Sequence, residues 1–309
     1  MTDVVIWGRR PPPLGGVTRC VQGLSDALSV AGVDHAVVDW RQRQAVAHVL
    51  GSRSALHVHN VSNVLRFAFV IVARFLNGAS TIVYFHSGTL PTQLQSPWRR
   101  RLARWGFRLV DAVWVTNAEL AEAIEDLSGV RAKVVSPFSA KGTVDSRGSA
   151  RERSVVLFVG YGKEIYGLST AIAVKSTTAM HGWSWTVVAY GDNDSCEQVR
   201  RKAERSGFNV LVNVDPACVG RVLADHEVLL RPTTADGDAM IVREALATGM
   251  RVVASDAVPR PAGVELSGLG VDEMSAAITA GGRVSDGMGL GIPVVEEVIA
   301  LVRHRAGGT

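Results

Sequence analysis

The feature that most constrains the fold of this 309-residue chain is a repeated alternation between two kinds of segment. Short apolar runs rich in β-branched residues are each followed by a longer stretch in which apolar residues recur at helical spacing. This order predicts βαβ units, in which helices connect parallel strands that are covered on both faces. In the first half, strand and helix pairs are predicted at Val4–Trp7 and Val17–Val30, Ala55–His59 and Val61–Leu76, Thr81–His86 and Pro97–Val110, and Ala112–Thr116 and Ala118–Leu127.

The same order restarts after a polar stretch, Ser139–Arg153, which has no apolar periodicity and predicts a linker. At this length, and with 47% apolar residues, the chain can bury two cores. We therefore predict an α/β protein with two Rossmann-like, doubly wound domains, residues 1–140 and 151–309, facing a central cleft. Because ligands of such sheets bind beyond the carboxyl ends of the strands, the loops at those ends are expected to line the cleft.

Composition excludes several classes of protein. No apolar segment follows a basic start, so no secretory signal is recognised, and a cytoplasmic location is expected. Val61–Leu76 is too short to span a bilayer and carries Arg66 and Arg74, so a buried helix is predicted there. Three widely spaced cysteines predict reduced thiols and no metal site.

The two halves of the chain differ in charge. Residues 1–150 hold 17 basic and 10 acidic residues, whereas residues 151–309 hold 16 basic and 19 acidic residues. The two halves are therefore expected to meet different partners.

The most informative motif runs from Arg231 to Gly249 and continues in Val252–Asp256. It predicts a polar loop at the end of a strand, followed by a helix that contains Glu244. Amides at the start of a helix can hold a diphosphate, whereas acids beside them, such as Asp236 and Glu244, would contact neutral hydroxyls of ribose or sugar. An ordinary helix capped by Asp238, with a solvated Glu244, is the open alternative.

Here the sequence resembles the family-4 glycosyltransferases, which carry two acids separated by seven residues. Those positions are Asp236 and Glu244, and the segment Glu244–Ser255 matches the family pattern that follows them. Gly15-Gly16, His57-Val58-His59 and Phe85-His86 match further family motifs in the same order. The resemblance implies a GT-B fold and a retaining, metal-independent transfer from a nucleotide diphosphate sugar. The base is not readable from the sequence; a UDP-sugar is our first guess for the donor, and we expect no cofactor.

The resemblance also assigns roles to residues. Glu244 would bind the ribose, Asp236 the transferred sugar, and His86 would lie beside the reacting sugar, although His57 and His86 could instead be structural. Gly15 and Gly16 would let the backbone approach the donor phosphates. The remaining candidate donor-binding residues are Gly237, Asp238, Ala239, Met240 and Ile241.

One departure concerns the cations that hold the diphosphate. Tyr161 and Tyr166 stand where the family usually has an arginine and a lysine, so the usual clamp is missing. Lys163 is our substitute, because the charge of the leaving group must be neutralised when no metal does so. A solvated loop lysine is the alternative.

Three other functions stay open. Tyr161 and Tyr166, in place of the usual arginine and lysine, are compatible with a protein that binds a nucleotide sugar without turnover. Gly160-Tyr161-Gly162 imitates part of a dinucleotide fingerprint, but the third glycine comes too late, which makes an NAD-dependent dehydrogenase the weakest candidate. Asp236-Gly237-Asp238 spells the D-x-D motif of metal-dependent glycosyltransferases, which have a different fold, and we expect no metal.

A basic helix is predicted from Pro97 onward, with Ser96 as its cap. Trp98, Leu102, Trp105 and Leu109 form a stripe that is expected to pack on the core. On another face, Arg100, Arg104 and Arg108 predict an anionic acceptor or support, either a lipid phosphate at a membrane surface or a nucleic acid. A solvated basic face, with a small-molecule acceptor, is the alternative.

Overall fold

The computed structural model describes residues 2–11, 15–42, 45, 51–86, 88–137, 151–237, 239–281 and 294–307. It divides into two compact units, each built around one parallel sheet with six strands in the described residues. The α/β class and the doubly wound architecture are therefore confirmed.

The sheet of the first unit has the strand order β2-β1-β3-β4-β5-β6. Its strands are β1 (Val4–Trp7), β2 (His35–Val38), β3 (Leu56–Val61), β4 (Thr81–Phe85), β5 (Ala112–Val115) and β6 (Lys133–Val134). The helices along this part of the chain are α1 (Gly16–Val30), α2 (Val64–Asn77), α3 (Leu90–Gln93), α4 (Pro97–Arg108) and α5 (Ala118–Ser128).

The sheet of the second unit has the order β12-β11-β10-β7-β8-β9. Its strands are β7 (Arg151–Gly160), β8 (Ser184–Tyr190), β9 (Asn209–Val212), β10 (His226–Arg231), β11 (Arg251–Ser255) and β12 (Glu265–Ser267). Its α-helices are α6 (Leu168–Lys175), α7 (Asn193–Arg205), α8 (Pro216–Ala224), α9 (Met240–Ala247) and α10 (Val271–Thr279), and short 3-10 turns cover Glu164–Tyr166 and Thr178–Met180.

Local sequence signals set several helix boundaries. Asn63 and Asn117 precede α2 and α5, and their side chains accept bonds from the amides of the first turn. Gly78 and Gly129 end the same two helices in the left-handed conformation, at φ of 67° and 70°. The helices therefore begin and end where capping chemistry allows, between strands whose residues are almost all buried.

The last helix, α11 (Val294–Gly307), belongs to the first unit, whereas the predicted second domain extended to residue 309. Val298 of this helix is buried, and Glu297 pairs with Lys133 of β6 at 2.6 Å. An amphipathic sequence does not specify which sheet edge it will cover, so the sequence alone gave no reason to separate this helix from the domain before it.

Two predictions about helix faces are wrong. Trp98 and Trp105 do not pack on the core, because α4 turns Ala103, Gly106 and Phe107 inward instead. Gly106 permits a close approach to α2: a Cβ there would lie 2.4 Å from Phe67 Cε1. The second error concerns α2, which was predicted to be a buried helix and instead exposes an apolar face.

Candidate functional site

Two loops of the second unit meet beyond the carboxyl ends of the neighbouring strands β7 and β10. The amide of Thr234 donates to the carbonyl of Ile165 at 3.0 Å, which ties the loop after β10 to the loop after β7. Gly167, at φ 73°, lies so close to Pro232 that an added Cβ would be 2.1 Å from the Pro232 carbonyl oxygen. The loop that carries Lys163 is thus held against the loop that carries Asp236.

Asp236 forms the centre of a buried cluster of three charged side chains. Its Oδ2 lies 2.9 Å from Nη2 of Arg231 and 3.3 Å from Nη1 of Arg260. Burial alone would raise the pKa of Asp236, but the two guanidinium groups outweigh it and hold the pKa below its usual value. Two cations against one anion leave this cluster with a net positive charge.

Neighbouring groups fix both arginines. Arg231 also donates to the carbonyl oxygen of Phe158 at 2.9 Å. Arg260 donates to the hydroxyl of Thr233, and the carbonyl of that threonine accepts a bond from Ser255. Hydrogen bonds of the cluster therefore connect the carboxyl ends of β7, β10 and β11.

Two tyrosines pack beside the arginines. The guanidinium of Arg231 lies 4.8 Å from the ring centre of Tyr166, which is a favourable cation–π arrangement. Tyr190 packs over Gly160, where a Cβ would be only 2.6 Å from the ring. Burial, reinforced by Tyr166, raises the pKa of the Tyr190 hydroxyl well above its usual value, so this group stays protonated.

Helix α9 begins directly after this cluster. Ala239 is its N-cap, and no side chain of the described residues accepts a bond from the amides of its first turn, at Met240 and Ile241. Asp238, the predicted cap of the alternative reading, lies outside the described residues. Glu244 is only 8% exposed, which contradicts the solvated carboxylate of that reading.

Lys163 is an exposed residue of the loop after β7, where it precedes the 3-10 turn. Its neighbour Tyr161 has a positive φ of 52° and donates its amide to the carbonyl of Tyr190 at 2.8 Å. The side chain of Lys163 forms no ion pair within the part of the chain that the structure describes. Its role at a diphosphate stays a prediction.

In the first unit, His86 directly follows β4. Its Nε2 lies 2.9 Å from Asn60 Oδ1, and its ring packs 4.0 Å from that of Tyr84. Burial lowers the pKa of His86 to about 3. The imidazole is therefore neutral at physiological pH and, because Nε2 donates to Asn60, Nδ1 is the nitrogen that can accept a hydrogen bond.

His57 and His59, the two histidines of β3, are buried in the core. His57 accepts a bond at Nδ1 from the indole of Trp7 at 3.2 Å, and its Nε2 lies 3.0 Å from the carbonyl of Ser52, so it is a hydrogen-bonded core residue. His59 is stacked on Trp7 with 5.2 Å between ring centres. Neither ring nitrogen of His59 has a hydrogen-bond partner among the described residues.

No model of a known protein family and no curated protein matches the sequence. Solved structures do match. HepE from Anabaena, determined in complex with UDP and glucose, has a TM-score of 0.69 and 15% identity over 99% of this chain and 95% of that chain. Sucrose-phosphate synthase from Thermosynechococcus elongatus has a TM-score of 0.73 and 16% identity over 100% and 98% of the two chains. The lipopolysaccharide outer core galactosyltransferase WaaB has a TM-score of 0.59 and 13% identity over 98% and 99%.

The chain has the GT-B fold. The predicted fold class is thereby confirmed. At these low identities, the likeness speaks to the fold and not to the activity.

The GT-B fold distributes the predicted site residues over both units. In the second unit, Asp236 and Gly237 come together directly before the start of α9, and Glu244 follows within that helix. Gly15 and Gly16, at the start of α1, are also grouped with the second unit, whereas His86 follows β4 in the first unit. Arg100 and Arg104 are exposed on α4, whereas Arg108 donates its Nε to the carbonyl of Ser128 at 2.7 Å.

Sequence reasoning missed the two arginines that hold Asp236. A signal existed for Arg231, because this charged residue ends the strand His226–Arg231 directly after three buried apolar residues. No such signal marked Arg260, which lies between two prolines in a loop after β11. Within the described residues, no group of three or more candidate ligands is arranged to hold a metal ion.

His59 and His86, whose pKa values are lowered by burial, make the first unit sensitive to acid. Burial, with a smaller contribution from the charge of His57, holds the pKa of His59 well below its usual value. The unfolded chain takes up a proton as the pH falls through about 6.5, and the folded chain does not, so stability is lost as the pH falls.

We expect His59→Phe to reduce the stability lost between pH 7 and pH 5 by about 2 kcal/mol, because Phe cannot take up a proton in the unfolded state. Urea unfolding at both pH values measures this difference. His181→Asn, at an exposed position, is the control. An unchanged pH dependence in His59→Phe would show that His59 does not remain neutral in the folded protein.

Proposed function

We propose that this chain transfers a sugar from a nucleotide diphosphate sugar to an acceptor hydroxyl, with a UDP-sugar as the first choice of donor. One observation carries the proposal: the positive cluster of Arg231, Asp236 and Arg260 lies at the loop that leads into α9, whose start no side chain of the described residues caps, and α9 also holds the buried Glu244. Positive charge and the amides of a helix start suit a diphosphate. A carboxylate farther along the helix suits the hydroxyls of a ribose.

Solved structures with this fold support the choice of donor. HepE has been determined with UDP and with UDP-glucose, and the pneumococcal O-GlcNAc transferase GtfA with UDP and GlcNAc. We extend that chemistry to this chain because its own residues supply the groups that a nucleotide diphosphate requires.

In the proposed donor site, Glu244 binds the ribose, and the amides of Met240 and Ile241, with Gly237 and Ala239 before them, face the diphosphate. The side chain of Lys163 contacts the same diphosphate. Asp236 acts through the arginines that it orients rather than by touching the transferred sugar, because Oδ2 already accepts bonds from both of them. Arg231 and Arg260 thus supply the positive charge that Tyr161 and Tyr166 do not.

The proposed reaction retains the anomeric configuration and uses no metal. The bond from the anomeric carbon to the diphosphate oxygen breaks, the acceptor oxygen bonds to the same face of that carbon, and the departing phosphate takes the acceptor proton. Stabilisation of the leaving group is the main requirement, and the arginine cluster and the start of α9 would provide it. Neutral His86 would accept a hydrogen bond from a sugar hydroxyl at Nδ1.

The proposal predicts that Glu244→Gln weakens binding of UDP by roughly 1–3 kcal/mol, since a neutral amide is a poorer acceptor for ribose hydroxyls. Calorimetric titration of wild type and variant with UDP, UDP-glucose, GDP and dTDP measures the loss and identifies the base. Glu204→Gln, at an exposed position of α7, is the control. An affinity for every nucleotide that is unchanged in Glu244→Gln would remove Glu244 from the site.

A second candidate function is nucleotide-sugar binding without turnover, which the tyrosines at positions 161 and 166 favour. A multiple-turnover assay separates the two candidates, because a pure binder releases no more than one equivalent of nucleotide diphosphate. The same assay, run with EDTA and with the anomer of the product determined by NMR, tests metal independence and retention.

A further inference from the structure

The outward face of α2 is apolar. Leu65, Val72, Phe75 and Leu76 are exposed to 47%, 54%, 71% and 56%, whereas Asn77 of the same helix is buried. Leu65, Val72 and Leu76 recur at intervals that place them on one stripe along the helix. The helix contains no acidic residue. Such a surface is costly in water, and contiguous exposed apolar patches mark interaction sites.

Helix α4 continues this surface with aromatic side chains. Trp98 and Trp105 are exposed to 53% and 64%. Helix α4 packs beside α2, with Gly106 against Phe67 and Ile71 of that helix. The exposed tryptophans and the apolar stripe therefore lie on two neighbouring helices, and we call their combined exposed surface the α2–α4 face.

Helix α4 also carries uncompensated positive charge, centred on a different side from its tryptophans. Helix α4 has five arginines and no acid, and among the described residues none of the five pairs with a carboxylate. On α7, by contrast, the exposed Arg200 and Arg201 both pair with Glu197, at 2.8 and 2.6 Å. Arg100, Arg101 and Arg104 instead point to an anionic partner outside the chain.

We propose that the α2–α4 face docks on the surface of an anionic lipid bilayer. Aliphatic side chains of α2 would enter the boundary between headgroups and acyl chains, tryptophans would lie at the level of the headgroups, and the arginines of α4 would bind lipid phosphates. Within the described residues, no helix meets the length and hydropathy that a membrane span requires. This inference is independent of the sugar chemistry proposed above.

Two other binding partners, a nucleic acid and a second copy of the chain, would each account for only part of the features of the α2–α4 face. A nucleic acid would bind the arginines but would gain nothing from an exposed stripe of Leu, Val and Phe. A second copy of the chain, joined through the same patch, would cover that stripe but would bring the arginines of one copy against those of the other. An anionic bilayer accounts for the apolar stripe, the tryptophans and the charge together.

The test uses the full chain and extruded vesicles of phosphatidylcholine, with and without phosphatidylglycerol, in a sedimentation assay at physiological salt. We expect binding to the anionic vesicles only. Arg100→Gln, Arg101→Gln and Arg104→Gln combined should weaken it by on the order of a hundredfold, since each charge near such a surface is worth about fivefold. Val72→Ser with Leu76→Ser should weaken it by about tenfold. Arg108 is left intact because it also bonds to Ser128.

Two control variants remove the same kinds of side chain elsewhere. Arg200→Gln with Arg201→Gln removes exposed arginines from α7, and Val30→Ser removes a valine that is 86% exposed at the end of α1. Neither should change vesicle binding, and circular dichroism checks that every variant is folded. Equal losses in the control and face variants would contradict the proposal.

Two further results would overturn the inference. Binding of a single-stranded oligonucleotide without binding of vesicles would assign the arginines to a nucleic acid. A dimer in solution that Val72→Ser with Leu76→Ser dissociates, again without vesicle binding, would assign the face to a second copy.

Discussion

Replacing Asp236 with alanine is expected to lower the free energy of unfolding of the second unit by about 3–5 kcal/mol. The reason is the pair of buried cations that the carboxylate neutralises: the side chains of Arg231 and Arg260 are only 4% and 2% exposed. Without Asp236, two guanidinium groups would repel each other in a site that is largely shielded from water. Urea unfolding followed by circular dichroism measures the loss.

Two comparisons separate this effect from a general change of charge. Asp256→Ala removes an exposed carboxylate from the loop after β11 and should cost less than about 0.5 kcal/mol. Asp236→Ala combined with Arg260→Met should recover part of the loss, because one buried cation then remains instead of two. If Asp236→Ala unfolds at the same urea concentration as wild type, the cluster does not stabilise the fold.

Gly167→Ala is expected to destabilise the second unit by about 2–4 kcal/mol, for two reasons that add. A left-handed conformation costs a residue with a Cβ roughly 1–2 kcal/mol. The new methyl group would also lie 2.1 Å from the Pro232 carbonyl oxygen, a backbone atom that cannot move aside without displacing the loop after β10. The same displacement should weaken UDP binding, since that loop leads into α9.

Gly182→Ala is the control that separates the steric contact from the conformational cost. Gly182 belongs to the same unit and has a similar φ of 80°, but an added Cβ would meet nothing closer than Arg153 Nη1 at 3.9 Å. It should therefore show the conformational cost alone and leave UDP affinity unchanged. Equal destabilisation by the two substitutions would mean that the contact with Pro232 is relieved without cost.

The alternation of apolar runs and helical stretches was sufficient to predict the two parallel sheets. Strands such as Val4–Trp7 and Thr81–Phe85 are buried at every residue, and a continuous apolar run is the local signature of that environment. The loop before α9 was predictable for the same reason, since it lies between two segments with clear patterns.

The orientation of the helices in the first unit could not be predicted in the same way. Periodicity shows which residues share a face but not which face turns inward. For α4 the larger side chains, Trp98 and Trp105, suggested the core, yet close packing at Gly106 decided the outcome. The partnership of Asp236 with Arg260 was equally hidden, because it joins residues 24 positions apart through two loops.

The return of α11 to the first unit has a consequence for biosynthesis. The chain leaves the ribosome from its amino terminus, so β1–β6 emerge early, while the helix that supplies Val298 and Glu297 to their unit is translated after β7–α10. The second unit, whose strands and helices β7–α10 are contiguous in the chain, can fold while synthesis continues. The first unit is therefore begun before the second unit and completed after it.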